Sequence, residues 1–261
     1  MRPIESLLES LVKELKAENT VAITLTGSYA RGDATLYSDV DMIHYVRQRP
    51  DNQEAYSLRY VDDYLVSLTI LTLDERRADL ARPESAKWCL SGLQQARVLY
   101  DPQGAFAGLL AEANAVVWDD VMQARANAYA GNELAGYAEE AHKVLGGLLQ
   151  DDDGQTLYAV YGLVLGVSRI VATQRGITVE SDNVYFRRLQ EEMGTDSHWT
   201  QFFRKAAGYD EGTARMRGFA ALRLYVETTR LLDDVFSPEH RAVIAQAVRV
   251  INQSQFVASM L

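Results

Sequence analysis

The feature that most constrains the fold is a change in apolar period near residue 119. Before it, short β-rich apolar runs are separated by turn residues: 21–26 (VAITLT), 39–46 (DVDMIHYV), 64–71 (YLVSLTIL) and 97–100 (RVLY), the last closed by the turn DPQG. Helical patterns at 4–15, 73–80 and 106–114 are interspersed among them. After it, segments 123–150, 155–175, 212–234 and 238–256 keep the helical period, with almost no β-rich run. Ser237-Pro238 opens the last of these with an N-cap and a proline at the first helical position. The pattern predicts an α+β domain on a small mixed sheet over residues 1–118 and an all-α helical bundle over 119–261. A cleft between two such domains is where ligand sites tend to form.

The bulk properties narrow the function. A net charge of −10 disfavours a broad nucleic-acid surface, which needs clustered Lys and Arg, and fits a cationic small partner better. The single cysteine, Cys89, allows no internal disulfide and reads as a buried small hydrophobe. Residues 1–19 have helical periodicity broken by charges, unlike a signal peptide, and no other stretch reads as long and apolar enough to cross a bilayer. A cytoplasmic protein with no membrane partner is the expectation.

The chemistry is concentrated in TGSYARGDATLYSDVD, residues 26–41. Its glycines have P-loop spacing, but Asp33 and Ala34 stand where that loop requires Lys and Ser or Thr, so a Walker-type site is excluded. A glycine-rich turn between a strand and a helix still offers backbone N–H groups to an anion, with Ser28 and Arg31 as side-chain donors. Asp39 and Asp41, two residues apart on a strand, face the same way. Paired carboxylates repel unless a cation lies between them, and oxygen ligands of this kind suit magnesium arriving with substrate phosphates. The plainer reading is a Gly/Ser/Asp turn capped by Ser38 with two solvated aspartates, but the order and spacing together favour a phosphate and metal site.

The run GSYARGDATLYSDVDM resembles the signature of the DNA polymerase β nucleotidyltransferase superfamily, and its GSxARG form resembles the small-molecule branch that includes the aminoglycoside (kanamycin-type) nucleotidyltransferases. The resemblance implies that Gly27, Ser28, Arg31 and Ser38 bind the nucleotide and that Asp39 and Asp41 hold Mg2+. It further implies transfer of AMP from ATP to a hydroxyl of a small acceptor such as an aminoglycoside antibiotic. The family's third carboxylate is missing: the matching strand YLVSLTIL offers Ser67 and Thr69 instead.

In GYAEEAHKVLGGLL, residues 136–149, Glu139 and Lys143 are one helical turn apart. Alone they read equally well as an exposed Glu–Lys pair. The resemblance implies more, with Glu139 as the general base on the acceptor hydroxyl, Glu140 as its register alternative, and Lys143 on the nucleotide phosphates. Two other readings stay open: an antitoxin-like nucleotidyltransferase acting on a protein partner, against which the added helical half counts, and a non-catalytic nucleotide-binding module, which Ser67 and Thr69 support. A homodimer occurs in parts of the family, though nothing in this sequence demands one.

Overall fold

The computed structural model describes residues 2–49 and 54–254, which form two compact units, Met1–Val117 and Trp118–Leu261. The first is α+β. Helix α1 (Ile4–Leu15) leads into β1 (Thr20–Thr26), the five-residue α2 (Gly27–Arg31), β2 (Val40–Val46), β3 (Tyr56–Val61) and β4 (Tyr64–Leu71). Then come α3 (Leu73–Leu80), α4 (Pro83–Gln94), β5 (Arg97–Tyr100) and α5 (Ala105–Asn114). The strands form one mixed sheet in the order β3-β4-β2-β1-β5, in which only β2 and β4 run parallel.

Strand alternation divides the core in two. On one face Ile23, Leu25, Val40, Met42 and Val66 pack on Leu7, Leu8 and Leu11, the apolar stripe of α1. On the other, Ala22, Tyr45 and Leu71 pack on Leu80, Cys89, Leu93, Phe106 and Leu109 from α3, α4 and α5. The capping box of Thr72 and Glu75 starts α3, and Pro83 occupies the first turn of α4.

Two elements of this unit carry no clear sequence signal. In β3 residues 56–60 are all exposed, so no buried face marks it out, and α4 mixes Lys, Ser and Gly among its apolar positions.

The second unit is helical: α6 (Asp120–Gly136), α7 (Ala138–Gln150), α8 (Asp153–Gln174), α9 (Tyr185–Met193), α10 (His198–Ala207), α11 (Ala214–Leu231) and α12 (Pro238–Gln253). The continuous pattern over 123–150 is divided at Tyr137, which ends α6 and precedes α7. The expectation over 238–256 runs past Ser254, and its last two positions lie outside the described residues. Helix α8 is the centre of this unit and corrects one expectation: its length and hydropathy suffice for a membrane span. Two-thirds of that apolar window is buried inside the protein, as a core helix requires. At Gly166 of α8 an added Cβ would lie 1.9 Å from the Tyr137 ring, so the absent side chain is what admits the tyrosine.

Candidate active site

The sheet register assembles the site. Thr26 of β1 pairs with Asp41 of β2, Asp41 with Ser67 of β4, and Ser67 with Leu58 of β3, which makes one row across the same sheet face. The next row is Thr24, Ile43, Thr69 and Tyr56. The apolar packing of α3, α4 and α5 begins one row further on, at Ala22, Tyr45 and Leu71. Asp39 stands just ahead of β2 rather than inside it. His44, on the opposite face, is buried and bonds through Nε2 to Thr20 Oγ1 at 2.9 Å, so it takes no part in the carboxylate pair.

At Gly27 the chain turns from β1 into α2 with φ +66, a left-handed value that glycine adopts without strain. An added Cβ there would lie 2.1 Å from Asp41 Oδ2, so the carboxylate occupies the volume a side chain would take. Both properties require glycine at this one position. Helix α2 is too short to supply much macrodipole, and what it offers an anion is its first-turn amides, which no Thr26 side-chain cap engages. Gly32, φ +83, ends it, with the amides of Gly32 and Asp33 both donating to Ser28 O.

Asp41 Oδ1 accepts a 2.7 Å hydrogen bond from Ser67 Oγ. Burial pushes the Asp41 carboxyl above the ordinary carboxylate range; the Ser67 bond and the Arg31 charge oppose this, and Asp39 adds to it. A carboxylate made costly by burial and by a like-charged neighbour is relieved when a cation binds. The donors here are all hard oxygen atoms: Asp39, Asp41 and the Ser67 hydroxyl. They fit magnesium that keeps waters and phosphate oxygens as its remaining ligands. Among the described residues no group of three His, Cys, Asp or Glu side chains is placed to hold a metal, so Ser67 stands beside Asp41 where a further carboxylate would complete such a set.

The remaining first-unit residues are engaged in the loop. Arg31 reaches Asp33 at 3.1 Å and Gln95 at 3.4 Å, bracing the turn. Ser38 Oγ accepts from the Thr35 amide at 2.9 Å, closing the loop that delivers Asp39. A pocket of about 200 Å³ adjoins the row at Thr26, with Ile43 and Tyr45 on the sheet side and Arg76, Trp88 and Cys89 opposite. The Cys89 thiol there is buried against Arg76 Nη1 at 3.1 Å, and burial raises its pKa, which suits packing rather than nucleophilic attack.

In the second unit, Lys143 Nζ lies 2.9 Å from Glu139 and 2.7 Å from Glu140, so the two glutamates that sequence could not separate form one fork around the ammonium. Their environments differ. Glu139 is 74% exposed, whereas Glu140 is 18% exposed and packs against α8 at Gly162, with Oε2 buried and lacking a hydrogen-bond partner. The hydrogen bonds that Lys143 donates to Glu140 and Glu139 raise its pKa, which keeps it charged.

Residues 5–85, from α1 into the first turn of α4, match the family model described as a nucleotidyltransferase domain. No curated protein matches the chain. Among solved structures it is similar to the crystal structure of a nucleotidyltransferase-like protein from Exiguobacterium sibiricum 255-15. That match has a TM-score of 0.53 at 10% identity and covers 99% of this chain and 87% of that one, a likeness of fold. The matched segment contains the Gly27 turn and both aspartates, so the likeness to nucleotidyltransferase domains rests on this first unit.

Proposed function

We propose that the protein transfers AMP from ATP to a hydroxyl of a small cytoplasmic acceptor, with Mg2+ held by Asp39 and Asp41. The observation that carries this reading is the row Thr26, Asp41, Ser67 beside a turn with uncapped amides, where Gly27 makes room for the Asp41 carboxylate. Magnesium bound there would polarise the α-phosphate and offset the charge of the departing pyrophosphate. The Gly27 and Ser28 amides and the Ser28 hydroxyl bind phosphate oxygens. Arg31 and Ser38 hold the shape of the loop, and Lys143 answers phosphate charge. Glu139 takes the proton of the acceptor hydroxyl, whose oxygen bonds to the α-phosphorus as the bond to the bridging oxygen breaks and pyrophosphate leaves.

An amino sugar of the aminoglycoside kind is the proposed acceptor. The net charge of −10 supports a cationic substrate. A second reading, nucleotide binding without transfer, is favoured by one observation, the hydroxyl of Ser67 standing beside Asp41.

The test is magnesium-dependent pyrophosphate release from ATP, GTP, CTP and UTP against a panel of aminoglycosides, repeated with Glu139→Gln and Glu140→Gln. Release from ATP with one acceptor, lost in Glu139→Gln alone, supports the whole assignment. Loss in Glu140→Gln alone transfers the proton to the buried neighbour. Nucleotide binding with no release under any acceptor selects the second reading.

A further inference from the structure

The helical unit contains a cavity of about 540 Å³ between α10 and α11, and its chemistry differs from that of the carboxylate row. Helical spacing puts Phe202 and Lys205 on one wall, and Met216, Phe219, Ala220 and Arg223 on the other. Phe219 and Ala220 are buried and form an apolar floor. Arg217 enters from the start of α11, and its guanidinium lies against the Gly208 turn so closely that a Cβ on Gly208 would come within 2.6 Å of Nη1.

Three cations thus face one apolar floor. Among the described residues none of Lys205, Arg217 and Arg223 has a carboxylate within ion-pair distance, although Arg204 nearby is matched by Asp210 at 3.1 Å. Of the two acids lining the cavity, Glu227 is already paired with Arg230 at 2.6 Å, which leaves Glu211 as the single unanswered negative charge. In a chain with net charge −10 this is a local excess of positive charge, with two of its bearers, Arg217 and Arg223, half-buried.

We propose that this cavity binds a small organic anion, a phosphate or carboxylate joined to an aromatic body. A bare inorganic anion would leave the accessible apolar lining of Phe202 and Met216 uncovered, and a neutral aromatic would leave the guanidiniums unanswered. A polycation would be repelled, so this site is separate from the seat of a cationic acceptor. The volume lies within the range of sites for small molecules, roughly 300–1,000 Å³. Guanidinium pairs with carboxylate or phosphate are among the stronger polar contacts available.

Isothermal titration calorimetry on the full chain tests this with four probes that share one ring system: 1-naphthyl phosphate, 1-naphthoate, 1-naphthol and 1-naphthylmethylamine. The two anions are expected to bind about tenfold or more tightly than the alcohol, and the amine not at all. Comparing the anions tells phosphate from carboxylate. Arg223→Gln and Lys205→Met should each weaken anion binding by about tenfold and leave naphthol binding unchanged, with circular dichroism confirming the fold. Arg217→Gln should act likewise, but it disturbs the Gly208 turn, so the other two variants decide. Equal affinity for anion and alcohol, indifference to both variants, or no binding of any probe would each overturn the assignment. None of these outcomes depends on nucleotidyl transfer.

Discussion

At Asp41 a single carboxylate is acted on by burial, by Asp39, by the Ser67 hydroxyl and by Arg31, and burial prevails. Because its pKa is raised on folding, the native state keeps this proton to higher pH than the unfolded chain does. Stability is therefore lost as pH rises through the native value. Asp41→Asn keeps an acceptor for Ser67 and removes the charge. In metal-free buffer it should melt above wild type near neutral pH, with the gain closing on acidification toward the ordinary carboxylate range, as a thermal melt series would record. On the proposed function the same substitution should lower turnover by about 100-fold or more, since it removes one of the two proposed magnesium ligands. Should Asp41→Asn turn over normally, the metal assignment would be wrong. Gly27→Ala forces both a left-handed backbone and a methyl onto Asp41 Oδ2. A cost of about 1–3 kcal/mol in chemical denaturation, together with loss of activity, is expected; an active variant of wild-type stability would show that the carboxylate has other room.

At the scale of elements, legibility followed burial. Strands β1, β2 and β4 have buried faces that alternate or run continuously, and their apolar pattern is visible in the sequence. The exposed β3 has none, and α9 and α10, although amphipathic, are short helices of nine and ten residues that end at Gly194 and Gly208. The Gly27, Asp39 and Asp41 set could be read because its members lie on one short run of chain: the turn after β1, the residue before β2 and the second residue of β2. The Ser67 bond to Asp41 joins residues 26 positions apart, and only the parallel register of β2 and β4 brings them together. The fork at Lys143 was readable as helical spacing, but the burial of Glu140 against Gly162 was not, because it depends on where α8 packs. That packing supplies a prediction at its own scale. Gly166→Ala puts a methyl into the Tyr137 ring at the junction of α6 and α7, and should destabilise the protein by about 1–3 kcal/mol in urea titration. Tyr137→Ala combined with it should recover part of that cost; strictly additive losses would argue against the contact.

For the molecule as a whole, a charge of −10 would attract the proposed polycationic acceptor before any specific contact forms. Raising ionic strength from about 0.01 to 0.15 M shortens the screening length from about 30 to 8 Å, so the KM for an aminoglycoside should rise while kcat holds. A KM flat across that range would remove charge from the account of acceptor choice. The exposed outer strand β3 has a different consequence, for behaviour in concentrated solution. It ends the sheet with Tyr56, Leu58 and Tyr60 bare on one side, and in its middle Arg59 is anchored to Glu14 of α1 at 2.6 Å. A free strand edge invites a neighbouring molecule to continue the sheet, and a charge in mid-strand is what makes that continuation unfavourable. Arg59 thus guards colloidal behaviour rather than chemistry: Arg59→Val should leave turnover intact while light scattering climbs with protein concentration.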